Sequence, residues 1–206
     1  MAISQLIFDK FNEYLKNAES VLELGNQTFV NDCISAHSDE LTGYTNSTPV
    51  KKYIESKHKH HVSIDITGLD GSMQLDLNSE TIPDIGEFDL VTNFGTTEHI
   101  EPNQFEPFLH IHNLCKIKGI MIHEVPVFGH WPGHCKYYYD EAFFQHLAKI
   151  NNYEILEMQR VNYEVSGDLI FVAMRKKSKP FLSKKLELES NVKVSTIDIN
   201  IPQYWK

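Results

Sequence analysis

Between residues 123 and 141 the sequence HEVPVFGHWPGHCKYYYDE gathers His123, Glu124, His130 and His134 beside three tyrosines. Imidazole titrates at about pH 6.5 and can take or give a proton under ordinary conditions. His130 and His134 are therefore candidates for a catalytic base or a group that orients a substrate. Neutral imidazole is also the commonest metal ligand, so His123, His130 and His134, with His110 and His112 upstream, raise a second chemistry: a zinc or iron site. Against it, His110 and His112 stand two apart on a predicted helix and point to different faces. No H-E-x-x-H spacing occurs either, and no metal is expected.

A second group of polar residues sits where apolar runs end. VLELG ends with Glu23 and Gly25, HVSIDIT carries Asp65, GSMQLDLN carries Asp76 and Asn78, and EFDLVTNFG ends with Asn93, Phe94 and Gly95. A carboxylate has lone pairs enough to accept hydrogen bonds from both hydroxyls of a ribose, and a polar group one strand further on can accept from an adenine amino group. Any one such acid is as easily a turn former or a helix cap. Gly25 is followed by Asn26, Gln27 and Thr28, not by a second glycine that would let the backbone approach a phosphate or carboxylate closely.

The elements that would carry these residues alternate. Ser4 to Asn17 reads as an amphipathic helix and Val21 to Leu24 as a first, buried strand. A polar stretch over 28–60 follows as a long insertion, with a helix signal beginning at Pro49. Strands are expected at His61 to Thr67, Gly71 to Leu77 and Glu87 to Phe94. A helix from Pro102 closes at Gly119, a fifth strand runs from Ile120 to Pro126, and a helix over Asp140 to Asn151 precedes two strands, YEILEMQ and GDLIFVAMR. Strands alternating with helices imply a mainly parallel sheet covered on both faces, the last two strands pairing antiparallel at an edge. One domain over 1–178 with a C-terminal extension over 179–206, a short edge strand and an extended tail, is the expected organisation.

The totals narrow the partners. At 41% hydrophobic and 23% charged residues the chain has the composition of a soluble globular protein. No apolar run reaches the roughly 20 residues of a membrane span, and the N-terminus lacks the apolar block of a secretory signal, so a cytoplasmic setting is expected. A net charge of -9 argues against nucleic acid as a partner, whose phosphates need neutralising by Lys and Arg. The basic run from Arg175 to Lys185 reads as a solvated tail. Cys33, Cys115 and Cys135 form neither a disulfide framework nor a C-x-x-C pair.

Taken in order, these segments resemble the class I S-adenosylmethionine-dependent methyltransferases over roughly residues 15 to 175. VLELG is similar to their first motif, SIDI to the second-strand acid, MQLDLN to the third-strand segment, FDLVTNFGTTEHI to the fourth-strand motif, and LCKIKGIMIHEVP to the helix–strand element that follows. The resemblance implies a Rossmann-like methyltransferase fold with a mainly parallel seven-stranded sheet and an antiparallel edge strand. It implies S-adenosyl-L-methionine as cofactor: Glu23 and Gly25 at its methionine portion, Asp65 at the ribose, Asp76 and Leu77 at the adenine, Asn93, Phe94 and Gly95 beneath the sulfonium. Where the family has further glycines, Asn26, Gln27 and Thr28 have side chains able to do locally what the missing backbone donors would have done. Glu98 and His99 match a Glu-His pair that supports the site's shape. The acceptor expected is a small molecule or glycan-type substrate. The sequence departs from the family in its missing glycines and in the 40 residues from Gly25 to Asp65, about twice the usual interval of roughly 20. A methyltransferase fold that has lost its cofactor and serves as a scaffold is the competing expectation.

Overall fold

A computed structural model describes residues 2–163 and 167–196. The chain opens with a two-residue strand β1 (Ala2–Ile3) and helix α1 (Gln5–Leu15), whose Ile7, Phe8, Phe11 and Leu15 recur at helical spacing and bury one face. Strand β2 (Ser20–Leu24) follows, then β3 (Thr28–Phe29), α2 (Asn31–Ala36) and α3 (Val50–Ser56). Strands β4 (His60–Asp65), β5 (Met73–Gln74) and β6 (Phe88–Phe94) lead to α4 (Phe105–Leu114) and β7 (Cys115–Pro126). After β8 (Tyr137–Tyr138), α5 (Glu141–Asn151) precedes the long strands β9 (Tyr153–Tyr163) and β10 (Gly167–Lys176). Helix α6 (Lys185–Asn191) and β11 (Lys193–Val194) complete the described elements.

Seven strands form one sheet in the order β5-β4-β2-β6-β7-β10-β9. All pair in parallel as far as β7, and β10 runs antiparallel to both β7 and β9, one place in from the edge. From β2 the chain builds outward to β5, then returns to lay β6 on the other side of β2. The switch point thus lies between β2 and β6, where ligands bind in open α/β sheets. Leu22, Leu24, Ile64 and Val91 pack on one face with α4 and α5 residues such as Phe108, Ile111 and Phe144. Val21, Leu90, Ile122 and Phe171 pack on the other face with α1, Cys33, Tyr53 and Ile54. Strand residues alternate between the two cores, as period-2 geometry requires. This is the Rossmann-like methyltransferase architecture.

Four details depart from the sequence reading. The insertion after Gly25 is not featureless: β3 pairs in parallel with β1, and Val50 donates its amide to the Gln27 carbonyl at 2.9 Å, so α3 is tied back to the loop. The third strand shrinks to Met73–Gln74, because Asp76 folds the chain away by accepting from the Asn78 amide at 2.8 Å. The helix expected to reach Gly119 stops at Leu114. From Cys115 the backbone pairs with β6, and Lys118 takes φ +69° in the irregular first turn of the strand. Lys176, in the basic run read as a solvated tail, is buried and donates from Nζ to the carbonyls of His112 and Cys115, 2.7 Å each.

The expected edge strand in the C-terminal extension corresponds to β11, which pairs antiparallel with β8. Leu188 of α6 and Val192 join the core beneath α4 and α5. Glu189 Oε1 accepts from the amides of Gln104 and Phe105 at 2.7 and 2.8 Å, supplying the start of α4 with acceptors. The extended tail over 197–206 lies outside the described residues.

Candidate functional site

A cleft of about 410 Å³ opens at the carboxyl ends of β2, β4 and β6, within the range of small-molecule sites. Its walls hold Gly25, Asn26 and Gln27 after β2, Ile64 to Ile66 at the end of β4, Leu75 to Leu77 after β5, and Gly95 and Thr96 after β6. His99, Ile100 and Glu101 follow on the same wall, with His134 and Lys136 from the loop after β7. Of the residues singled out in the sequence, Gly25, Asn26, Gln27, Asp65, Asp76, Leu77, Gly95, His99 and His134 meet here. Glu23, Asn93, Phe94 and His130 do not line it.

Gly25 adopts φ +81° and donates its amide to the Ile64 carbonyl at 2.7 Å. A Cβ at this position would stand 2.7 Å from Gln27 Nε2 and 2.8 Å from Thr96 Oγ1. Both side chains converge on the Leu24 carbonyl, Gln27 Nε2 at 3.1 Å and Thr96 Oγ1 at 2.7 Å. Thr96 therefore clips the turn after β6 to the end of β2. Gln27 thus donates to the end of β2, and Asn26 donates from Nδ2 to Asp70 Oδ2 at 2.6 Å. The two-residue β3 also stands where a helix N-terminus with free amides would face an anion.

Asp65 is half-buried, with Oδ2 accepting from the Asn26 amide at 3.0 Å and Oδ1 from the Thr67 amide at 2.7 Å and the Thr67 hydroxyl. An ionised carboxylate offers about four acceptor positions, so one is engaged by the loop after β2 and two by Thr67 of its own loop. Glu23 lies on the far face of β2, where it shares the side of Val21 and sits 3.0 Å from His61 Nε2; burial raises its pKa. Phe94 likewise turns into the second core and meets Phe11 edge-on at 5.8 Å. Asn93 is buried below the cleft. Its Oδ1 accepts from the Thr96 and Thr97 amides at 3.2 and 3.1 Å, and its Nδ2 donates to Thr97 Oγ1 at 2.9 Å and His123 Nδ1 at 3.1 Å. It shapes the Gly95–Thr96 turn from behind.

The histidines separate into different jobs. His123 stacks on Phe108, and burial alone pushes its pKa down to about 3. His130 accepts the Asp168 amide at Nδ1, 3.0 Å, and faces β10 instead of the cleft. His134 stands on the cleft wall against His99, ring centres 5.0 Å apart; burial is the main cause lowering both their pKa values, His99 to about 3. Beneath them Glu98 is 1% exposed, and loss of water raises its carboxyl to about 8. Glu124, buried and accepting from the Tyr163 hydroxyl at 2.6 Å, is raised to about 7, again chiefly by burial. Thr96, Ile100, Glu101 and Lys136 escaped the sequence reading. Lys136 lies inside the histidine-rich run already marked, whereas Thr96 had only its place one residue past a strand-end glycine as a signal.

The Glu98 shift has a measurable sign. Its carboxyl titrates at 4.5 when unfolded and at about 8 when folded, so its contribution to stability is complete below pH 4.5 and is lost as pH rises toward 8. Across that window the slope is about 1.4 kcal/mol per pH unit. The lowered histidines act oppositely, losing stability as pH falls below 6.5, and cancel when a variant is compared with its parent. Glu98→Gln in metal-free buffer is therefore expected to gain stability relative to the parent from pH 5 to 8 and then level off. Urea melts at several pH values measure this; a flat difference would show that the carboxyl is not held neutral.

No protein-family model and no curated protein matches the chain. Among solved structures it is similar to 1,6-didemethyltoxoflavin-N1-methyltransferase from Burkholderia thailandensis, crystallised with 1,6-didemethyltoxoflavin and S-adenosylhomocysteine. That match has 16% identity and TM-score 0.56, covering 84% of this chain and 76% of that one. It is also similar to the N-methyltransferase NodS from Bradyrhizobium japonicum WM9 in complex with S-adenosylhomocysteine, at 10% identity and TM-score 0.51 over 84% and 87% of the two chains. A second NodS structure gives 12% identity and TM-score 0.52 over 84% and 96%. The class defined by these likenesses is one of fold: the chain has the architecture of the class I S-adenosylmethionine-dependent methyltransferases.

Proposed function

We propose that this chain is an S-adenosyl-L-methionine-dependent methyltransferase acting on a small-molecule or glycan-type acceptor. The observation that carries this reading is that Gly25, Asp65, Asp76–Leu77 and Gly95, four separated strand ends, line one cleft at the switch point of the sheet. The adenosine half fits: Ile66, Leu75, Leu77 and Ile100 offer apolar walls, and Asp65 is the acid at the end of the strand next to β2. In this reading Asp65 holds the ribose, Asp76 and Leu77 flank the adenine, and Gly25, Asn26, Gln27 and Gly95 border the methionine portion. Glu23, Asn93 and Phe94 support these loops from within the core. When bound, S-adenosylmethionine supplies a methyl group on a sulfonium, and in-line transfer then demands alignment and, for a weakly acidic acceptor, a base. Our choice of base is His134, because burial lowers its pKa and keeps it neutral, the form that accepts a proton. A net charge of -9 favours an uncharged or cationic acceptor over nucleic acid. A cytoplasmic setting belongs to the same proposal.

A second reading has its own observation. With three acceptor positions of Asp65 occupied and no helix start behind Gly25, the fold can serve as a binding scaffold without cofactor. Calorimetric titration with S-adenosylhomocysteine separates the two, since absence of heat at millimolar ligand favours the scaffold. Given binding, Asp65→Ala is expected to weaken it by about 1–3 kcal/mol, the loss of a hydrogen bond to a charged group, or roughly 5- to 150-fold. An unchanged affinity removes Asp65 from the ribose.

A further inference from the structure

The histidine pairings divide the metal-ligating residues differently from their order in the sequence. His123 is stacked on Phe108 with Nδ1 occupied by Asn93, and His130 is turned to Asp168, so the trio His123, His130 and His134 does not converge. Another trio does. Glu98, His99 and His134 each present a ligand atom, and these atoms lie within 4.8 Å of one another. Glu98 Oε1 is 3.9 Å from His99 Nε2. Glu98 Oε2 is buried and has no hydrogen-bond partner among the described residues, a costly state for a polar atom that a bound cation relieves as the carboxyl gives up its proton. A tetrahedral zinc ion with bonds of about 2.0–2.1 Å spaces its ligands by roughly 3.4 Å, so small side-chain rotations close the set.

We propose that Glu98, His99 and His134 form a binding site for a divalent transition-metal ion of the zinc type on the wall of the cleft. Two imidazoles and one carboxylate are a familiar donor set for such ions and leave at least one coordination position open. His99 and His134 line the cleft and Glu98 lies buried behind them, so the open position faces the cleft. Its natural occupant is an oxygen donor, water or a hydroxyl of the acceptor, which the ion would orient. This last extension to the acceptor rests on the methyl-transfer reading and, with the ion bound, makes His134 a ligand, so that the ion and not the imidazole lowers the pKa of the acceptor's hydroxyl; the ion site itself does not rest on that reading.

The test uses untagged full-length chain, freed of metal by chelator and titrated calorimetrically with Zn²⁺ and spectroscopically with Co²⁺. One equivalent should bind. Glu98→Gln and His134→Ala should each weaken binding at least tenfold, whereas His130→Ala should retain it. His134 stands on the cleft wall outside the hydrophobic core, so its variant should fold; a thermal melt of each variant verifies this. Absence of saturable binding, or undiminished binding by folded His134→Ala, overturns the site. Catechol as an oxygen-donor probe should shift the Co²⁺ spectrum; an unmoved spectrum overturns the open position. Titration with S-adenosylhomocysteine is read separately: an equivalent of metal without nucleoside binding leaves the ion site standing and removes only its link to methyl transfer.

Discussion

Gly25→Ala is expected to abolish nucleoside binding in the cleft and to destabilise the fold by about 2–4 kcal/mol. Forcing a side chain into the left-handed region costs about 1–2 kcal/mol, and φ here is +81°. The new Cβ also stands 2.7 and 2.8 Å from Gln27 Nε2 and Thr96 Oγ1, so at least one hydrogen bond to the Leu24 carbonyl must break, adding about 0.5–1.5 kcal/mol for each. For a chain of this size that corresponds to a melting temperature lower by roughly 5–15 °C. The same adjustment moves the floor of the cleft. Thermal melts and titration with S-adenosylhomocysteine check both parts, and a variant that melts with the parent would refute the close packing at Gly25.

Asn93→Ala should cost more, about 3–5 kcal/mol. One buried side chain satisfies two amides, a hydroxyl and an imidazole nitrogen, and alanine leaves all four without that partner, three of them buried and the Thr96 amide part-buried at the cleft. Thr96 and Thr97 carry the turn that borders the cleft, so ligand affinity should fall with stability. Urea unfolding is the direct measurement; a loss below about 1 kcal/mol would mean that water or a neighbour replaces the amide, contrary to the buried network. The contrast with Asp65→Ala is informative, because Asp65 is half-buried and its removal should act on binding far more than on stability.

The parallel sheet was legible because its central strands are long apolar runs ending in polar residues, a pattern dictated by burial on both faces. What escaped detection was short or decided at a distance. β1 and β3 are two residues each, too brief for any periodicity, and exist because they pair with one another. The stretch Cys115 to Gly119 has helical neighbours and a glycine that suggests a stop, yet pairing with β6 claims it for the sheet. In the site, the acids and glycines at strand ends were readable from spacing. Which histidines face the cleft was not, since His130 and His134, four residues apart on an irregular loop, are sorted only by contacts with Asp168 and His99. Glu98 and His99 are adjacent in the sequence and match a Glu-His pair, but their convergence with His134 depends on how the loop after β7 folds over the sheet.

The carboxylate of Glu189 at the start of α4 has a consequence for assembly. α4 packs behind the cleft, yet the Gln104 amide finds its acceptor 85 positions later in the chain. During synthesis the strands that border the cleft are all made before that acceptor leaves the ribosome. The start of α4 is thus made long before its acceptor, and the Gln104 and Phe105 amides gain their carboxylate only when α6 has docked.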